Sequence, residues 1–274
     1  MRWLFLCPLL FAAAAHADVP ARVAVQFDRS KLQPVLAEGQ ADWASGRAVT
    51  ADDPVRIASV SKLVTTLGVL RLVDQGKVDL DRDVSDYLGW TLRNPAFPDD
   101  PITLRLLLSH QASLRDGGDL YIIPLDMRLR ERLADPAVWD QEHGPKSGWF
   151  AYSNINFPVA ASIVERVTGE RFDRAISQLV LRPLRLDACF NWGAGCSAAA
   201  LQRAVVLYRA NGEVEHGVTM LRTEDGRRTL GRKVEEASVD ELFDIAMAIL
   251  HLGERQRRLR HRCLEREQLE DRKS

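Results

Sequence analysis

The sequence predicts an α+β protein in which an all-helical region is inserted into an antiparallel sheet with flanking helices. Alternating apolar and polar residues near the N-terminus and around residues 211–212 indicate strands, and the long stretch between them has helical periodicity. The 274 residues are 46% hydrophobic and 27% charged, which is enough apolar material for a core. A formal net charge of −1 gives no indication of a nucleic-acid partner.

Residues 1–17 are predicted to be a signal peptide. Arg2 supplies a positive start, residues 3–15 are almost wholly apolar, and Ala15-His16-Ala17 fits the small-x-small cleavage pattern. The apolar run is too short to span a bilayer as a stable helix. We therefore expect cleavage after Ala17, a periplasmic or secreted mature chain, and no stable membrane span.

Residues 22–42 read as two short strands, "RVAVQF" and "LQPVLAEGQAD", joined by the polar turn "DRSK". A turn-rich segment then leads to Ser59. From Lys62 the apolar residues recur at helical spacing until Gly76, which predicts a buried helix that ends there. The apolar positions that follow this spacing are Leu63, Val64, Leu67, Leu70 and Val73.

The following segments continue the helical region, predicted to cover about residues 62–200. Thr103 is placed to cap a leucine-rich helix, and a later helical pattern is broken at Pro136. A further helix is expected from about Asn156 to Gly169, and "FDRAISQLVLRPL" is expected to form another single helix. "NG" at residues 211–212 then predicts a hairpin turn.

Ser59 and Lys62 stand at the start of the first long helix and could form a nucleophile and its base. A serine hydroxyl is a poor nucleophile until a neighbouring group removes its proton. Positions i and i+3 share a helix face, so Lys62 is expected to place its amine over Ser59. A helix start also offers backbone N–H groups to a developing oxyanion. The alternative is an ordinary helix start, because Ser-x-x-Lys alone is a weak signal.

Tyr152 and Asn154 form a second candidate element, at a turn that opens the helix expected from about Asn156. A phenol can carry a proton when neighbouring cations lower its pKa. The Asn154 amide could hydrogen-bond Lys62 or a substrate carbonyl. Packing is the alternative explanation for a tyrosine at this position.

Taken together, these stretches resemble the serine β-lactamase-related hydrolases: class C β-lactamases, penicillin-binding DD-peptidases, D-aminopeptidases and related esterases. "RIASVSK" looks like the nucleophile motif of that family, and "WFAYSNINFPVAASIVERVTGERF" looks like its second motif and helix. "ITLRLLLSHQASL" is similar to a further helix start of the family, with Gln111-Ala112-Ser113 in place of Thr-Ser-Gly. The resemblance runs over residues 22–250.

The resemblance implies an acyl-enzyme mechanism without a metal or organic cofactor. Ser59 would attack a carbonyl while Lys62 and Tyr152 exchange its proton, and the Ser59 backbone N–H would form half of an oxyanion hole. Asn154 would orient the substrate amide, and water would release the acyl group. The expected substrate is a small molecule or peptide, such as a cell-wall peptide, a β-lactam or an ester, hydrolysed in the periplasm.

The sequence departs from the family at its end. The third family motif, a Lys/His-x-Gly triplet on a core strand, has no credible match: "KSG" at residues 146–148 precedes Tyr152 in a turn, and "HLG" at 251–253 follows a helix. Residues 251–274 are arginine-rich, which predicts a truncated or frameshifted end or else a lineage-specific tail. We therefore expect a domain at residues 18–250. An impaired or truncated member that binds ligand, or has no function, stays open as an alternative.

Cys189 and Cys196 lie close together in "CFNWGAGC", and export favours a disulfide between them over two free thiols. No cysteine and histidine cluster has the spacing of a metal site, so no metal is expected. His110, beside Ser109 in the leucine-rich segment, is interpreted as structural rather than as a base.

Overall fold

The computed structural model describes residues 20–117, 123, 127–190 and 195–214. The predicted signal peptide, the tail and the part of the predicted 211–212 hairpin beyond Val214 lie outside the described residues. The chain divides into two compact units between Ala51 and Asp52. The α+β character is confirmed, since both antiparallel strand pairs and helices are present.

The first unit contains two small antiparallel sheets. Strands β1 (Arg22–Phe27) and β2 (Leu32–Glu38) form the predicted hairpin. Asp28 shapes its turn, because one carboxylate oxygen accepts the backbone N–H of Ser30 and of Lys31, each at 2.6 Å. The second sheet pairs β3 (Gln40–Asp42) with β4 (Arg47–Ala48).

The second unit is helical in its described part. A 3₁₀ turn at Ala58–Val60 leads into the first helix, another 3₁₀ turn covers Pro136–Val138, and a π-helical turn covers Ser177–Leu181. The α-helices are α1 (Ser61–Asp74), α2 (Ser85–Leu88), α3 (Leu104–Leu108), α4 (Leu129–Leu133), α5 (Asn156–Thr168), α6 (Phe172–Ile176) and α7 (Ala198–Arg203).

Several predicted helix boundaries are confirmed. The hydroxyl of Thr103 accepts the Leu106 backbone N–H at 3.3 Å and so caps α3. Helix α5 ends at Gly169, which has a φ of 71° in the left-handed region that favours glycine. The single helix expected from Phe172 is instead the short α6 followed by the π-helical turn.

The second unit has one large hydrophobic cluster, to which most of its helices contribute, and a small one at Cys189 and Ala200. Helix α1 supplies Val69 and Leu72, α5 supplies Ile163, and α6 supplies Ile176, all less than 2% exposed. Trp139 is also fully buried, and its indole N–H donates to the Leu133 carbonyl at 2.9 Å. This packing fixes the helices whose first residues form the site described below.

The prediction that α1 is a buried helix holds for only one side of it: Val64 and Val73 pack against the core, but the leucines at the predicted spacing do not. Leu63, Leu67 and Leu70 are 60%, 39% and 42% exposed. The buried residues are Lys62, Thr65, Gly68, Val69 and Leu72. This side of α1 is closely packed, since Gly68 lies directly against the Ile176 side chain of α6. Leucines at helical spacing could not identify that face, because α1 has apolar residues on both sides.

Candidate active site

The start of α1 brings Ser59 and Lys62 together. Ser59 is exposed in the 3₁₀ turn, and the Lys62 amine one helical turn later donates to its Oγ at 3.0 Å. Only 9% of Lys62 is exposed, so its aliphatic chain is buried while its amine contacts the serine. The hydroxyl of Ser61, by contrast, donates to the Ala58 carbonyl at 2.6 Å. Ser59 is thus the serine of this turn that faces the lysine.

The turn before α5 completes the group. The phenol oxygen of Tyr152 lies 2.9 Å from Ser59 Oγ, and Asn154 Oδ1 accepts from the Lys62 amine at 2.8 Å. The Tyr152 hydroxyl also reaches Asn154 Oδ1, at 3.3 Å. The structure therefore joins Ser59, Lys62, Tyr152 and Asn154 in one hydrogen-bonded cluster.

The electrostatics of this cluster favour a phenol that gives up its proton more easily than usual. Burial by itself would raise the pKa of Tyr152, but hydrogen bonds with Lys62 and Ser59 and the lysine charge together lower it below its ordinary value. The Lys62 amine lies 5.2 Å from the centre of the Tyr152 ring and 5.4 Å from that of Phe157. A proton can therefore pass between the serine, the phenol and the amine.

Asp116 supports the Tyr152 turn from a distant loop. Its carboxylate accepts the Ser153 hydroxyl at 2.9 Å, the Asn154 backbone N–H at 2.6 and 2.7 Å, and the Ile155 backbone N–H at 3.3 Å. Asp116 therefore fixes the backbone immediately before α5, which carries Tyr152 and Asn154.

His110 supports the same turn from the other side. Its Nδ1 accepts the Ser153 backbone N–H at 3.1 Å, and its carbonyl accepts the Ala151 backbone N–H at 3.0 Å. The imidazole is stacked on the Tyr152 ring, with 4.5 Å between centroids and 28° between planes. Burial, and then the charge of Lys62, lower the pKa of His110. The ring is thus favoured in its neutral form.

Sequence reasoning missed the positioning contacts of Asp116 and of His110. "SHQASLRD" resembles a family segment, but nothing in its residue types shows which backbone N–H groups each side chain receives. Those donors are more than thirty-five positions away, since Asp116 and Ser153 differ by 37 in sequence. Only the fold shows the pairing.

The other candidate residues lie in different surroundings. Lys146, in the triplet already interpreted as coincidental, forms an ion pair with Asp100 at 2.8 Å. Cys189 and Cys196 are paired, with 5.1 Å between their Cα atoms; their oxidation in the cell stays a prediction. Within the described ranges, no group of three or more His, Cys, Asp or Glu residues could hold a metal ion. No helix in those ranges is long and apolar enough to cross a membrane.

Comparison with known protein families matches residues 13–245 to the family described as Beta-lactamase. The site within this range is a serine that faces a lysine and a tyrosine. The chain therefore belongs to the β-lactamase family. The family resemblance inferred from the sequence motifs is confirmed.

The chain is also similar to individual curated proteins. It is 33% identical over 171 residues to the esterase EstB of Burkholderia gladioli, a match that covers 56% of this chain and 42% of that protein. It is 29% identical over 136 residues to the D-alanyl-D-alanine-carboxypeptidase/endopeptidase AmpH of Escherichia coli K12, covering 48% and 35%. The matches thus span less than half the length of these curated relatives.

Solved structures support the fold. A class C β-lactamase from Rhodobacter sphaeroides superposes with a TM-score of 0.62 at 19% identity, covering 85% of this chain and 58% of that one. EstCE1, a hydrolase with promiscuous acyltransferase activity, gives a TM-score of 0.55 at 22% identity, covering 78% and 63%.

Proposed function

We propose that this protein is a serine hydrolase that cleaves an amide or ester through an acyl-serine intermediate. The observation that carries the proposal is the contact of Ser59 Oγ with both the Lys62 amine at 3.0 Å and the Tyr152 phenol at 2.9 Å. A nucleophile and its base within hydrogen-bond reach are the signature of covalent catalysis. The family and the curated relatives, which include an esterase and a carboxypeptidase, support the same reaction class.

In the first half of the reaction, Ser59 Oγ attacks the substrate carbonyl carbon as its proton moves to the phenolate of Tyr152. Lys62 stabilises that phenolate by its charge, and Asn154 holds the lysine amine in place. The carbon–nitrogen or carbon–oxygen bond of the substrate then breaks. The leaving group takes the proton from Tyr152, which leaves an acyl ester on Ser59.

In the second half, water attacks the acyl carbonyl and gives one proton to Tyr152. The ester bond to Ser59 breaks, and the proton returns from Tyr152 to Ser59 Oγ. The products are a carboxylic acid and the regenerated serine. General acid–base help of this kind typically contributes about 10²–10⁴-fold in rate.

The proposed substrate class is a small ester or a short peptide, which includes cell-wall peptides and β-lactams. The similarity to the esterase EstB supports an ester, and the similarity to the D-alanyl-D-alanine-carboxypeptidase/endopeptidase AmpH supports a D-alanyl peptide. The pattern of residues 1–17 supports export, so the periplasm is the proposed location.

The direct test is to incubate the full chain with a fluorophosphonate probe and, separately, with a fluorescent penicillin. Wild type should form a covalent adduct with at least one probe, and Ser59→Ala should form none. Ser61→Ala is the matched control, because that neighbouring hydroxyl is tied to the Ala58 carbonyl, and it should label like wild type. Wild type that labels no better than Ser59→Ala with either probe would contradict the proposal. If the penicillin then still raised the melting temperature of the Ser59→Ala variant, the result would favour the alternative of a ligand-binding protein without catalysis.

A further inference from the structure

The hydrogen bonds around His110 determine which of its nitrogens carries the proton. A backbone N–H can only donate, so the Ser153 amide at 3.1 Å requires His110 Nδ1 to be an unprotonated acceptor. Asn156 Nδ2 approaches the same nitrogen at 3.2 Å. That amide group also donates to the Ser153 carbonyl at 3.1 Å, and a carbonyl can only accept. The orientation of Asn156 is therefore fixed independently, and it too presents a donor to Nδ1.

These donors leave one state of the ring that satisfies the site: neutral imidazole with its proton on Nε2. A second proton would have to go on Nδ1, where it would meet two N–H donors instead of acceptors. The ring stacks on Tyr152, so any tilt of the imidazole disturbs the phenol that touches Ser59. Ser153, whose N–H depends on this bond, is completely buried and immediately follows Tyr152.

We propose that His110 is a positioning residue whose neutral, Nε2-protonated ring holds the turn carrying Tyr152 and Asn154, so that protonation of His110 separates Tyr152 from Ser59. The inference rests on the proposed function, since it concerns the proton carrier of that site. It assigns to His110 an acid-sensitive role in the geometry of the site rather than a place in the chemistry.

The charged and titratable groups that face His110 come from three segments. Lys62 approaches from α1 and opposes protonation, Asp116 approaches from its loop and favours it, and Tyr152 covers one ring face. Burial and Lys62 outweigh the Ser153 backbone and Asp116, which both raise the pKa, so the pKa of His110 lies below its ordinary value. The turn is therefore intact at neutral pH, and acylation should fall as the pH drops through that lowered pKa.

Two variants of His110 separate the role of its Nδ1 acceptor from the role of its stacked ring. His110→Asn places a carbonyl oxygen near Nδ1, and asparagine tolerates the left-handed backbone here, where φ is 59°. His110→Phe keeps a ring for the stack but removes the acceptor. We expect His110→Asn to acylate within about threefold of wild type. We expect His110→Phe to lose about tenfold or more, which corresponds to one buried N–H without a partner.

The pH profile distinguishes positioning from general structural support. Wild type should show an acid limb that follows the His110 titration, and His110→Asn should lack it, since an amide does not titrate. Thermal melts of both variants show whether each is folded at the assay temperature. A folded His110→Phe protein with the wild-type rate would overturn the inference, as would a His110→Asn protein with the wild-type acid limb.

A measurement that needs no substrate tests the inference even if the wild-type protein forms no adduct with either probe. Imidazole ¹⁵N NMR of the labelled full chain, with His110→Asn used to assign the signals, reports the tautomer directly. The inference expects the proton on Nε2 of His110 at neutral pH and a pKa below that of an exposed histidine. A proton on Nδ1 would overturn it, whereas absent labelling with the Nε2 tautomer would count against the proposed function alone.

Discussion

Helices α1 and α5 each begin at the candidate site, yet they are packed very differently. In α5 every residue from Asn156 to Glu165 is buried. In α1 one face is buried, while Leu63, Leu67 and Leu70 are between 39% and 60% exposed. The two helix starts therefore meet at the site although only α5 is buried on all sides.

The two helix starts are also supported differently. The turn before α5 is held by side chains from elsewhere in the fold, with Asp116 on its backbone N–H groups and His110 on Ser153. At the start of α1, by contrast, the Ser61 hydroxyl bonds the Ala58 carbonyl within the same turn, and Ala58 has a φ of 43°, a conformation that typically costs about 1–3 kcal/mol for a residue other than glycine. We infer that α5 is the fixed reference against which Ser59 is aligned.

The largest expected effect is on the contact between the two helix starts. Tyr152→Phe keeps the ring on His110 and removes the hydroxyl that meets Ser59. The acylation rate should fall by about 10²–10⁴-fold, the usual contribution of a proton-transfer group. Stopped-flow labelling with the probe that reacts with wild type measures it. An unchanged rate would mean that Lys62 alone activates the serine.

Core truncations test the packing difference directly. Ile163→Ala in α5 should lower the free energy of unfolding by about 2–5 kcal/mol, because it leaves a cavity in a fully buried cluster. Leu67→Ala in α1 is the matched control on an exposed face and should change it by less than about 0.5 kcal/mol. Urea denaturation of both variants provides the values. Equal losses would show that the exposed face of α1 is covered in solution.

Asp116→Asn tests the external support of α5. The substitution removes the charge and one acceptor oxygen, so some of the donors, which are the Ser153 hydroxyl and the backbone N–H groups of Asn154 and Ile155, lose a partner. We expect about 1–3 kcal/mol less stability and slower acylation. Asp81→Asn, at an exposed ion pair with Arg105, serves as control and should melt like wild type. A loss of stability without any change in acylation would limit Asp116 to a structural role.

The smallest expected effect is at a helix start outside the site. Thr103→Ala removes the cap of α3 and should cost about 1 kcal/mol in the free energy of unfolding. Thr103→Ser keeps a hydroxyl and should restore most of the loss. Acylation should be unaffected in both variants, and a clear drop would show that α3 also aligns the site.

The sequence was sufficient to predict what depends on neighbouring residues. The cap at Thr103, the end of α5 at Gly169 and the β1–β2 turn each involve partners only a few positions apart. Ser59 and Lys62 form a local pair of the same kind, and Tyr152 with Asn154 forms another. Their meeting in space was predicted through the family resemblance, and the residue types alone do not specify it.

What could not be predicted depends on distant partners. The buried side of α1 lies against residues such as Ile176, which contacts Gly68 from over one hundred positions away, and the spacing of the leucines did not identify that side. Asp116 and His110 act on a turn that follows them by about forty positions, and neither residue type is unusual in a loop. Local periodicity contains no information about such contacts.

The central claim is that Lys62 controls the protonation of Tyr152, and the pKa of that phenol tests it without any substrate. NMR of ring-labelled tyrosine follows the four tyrosines of the chain, with Tyr152→Phe as the assignment control. In wild type the Tyr152 pKa should lie below that of a free tyrosine, about 10. In Lys62→Met it should rise, because burial remains while the amine is gone. The same Tyr152 pKa in wild type and Lys62→Met would contradict the account.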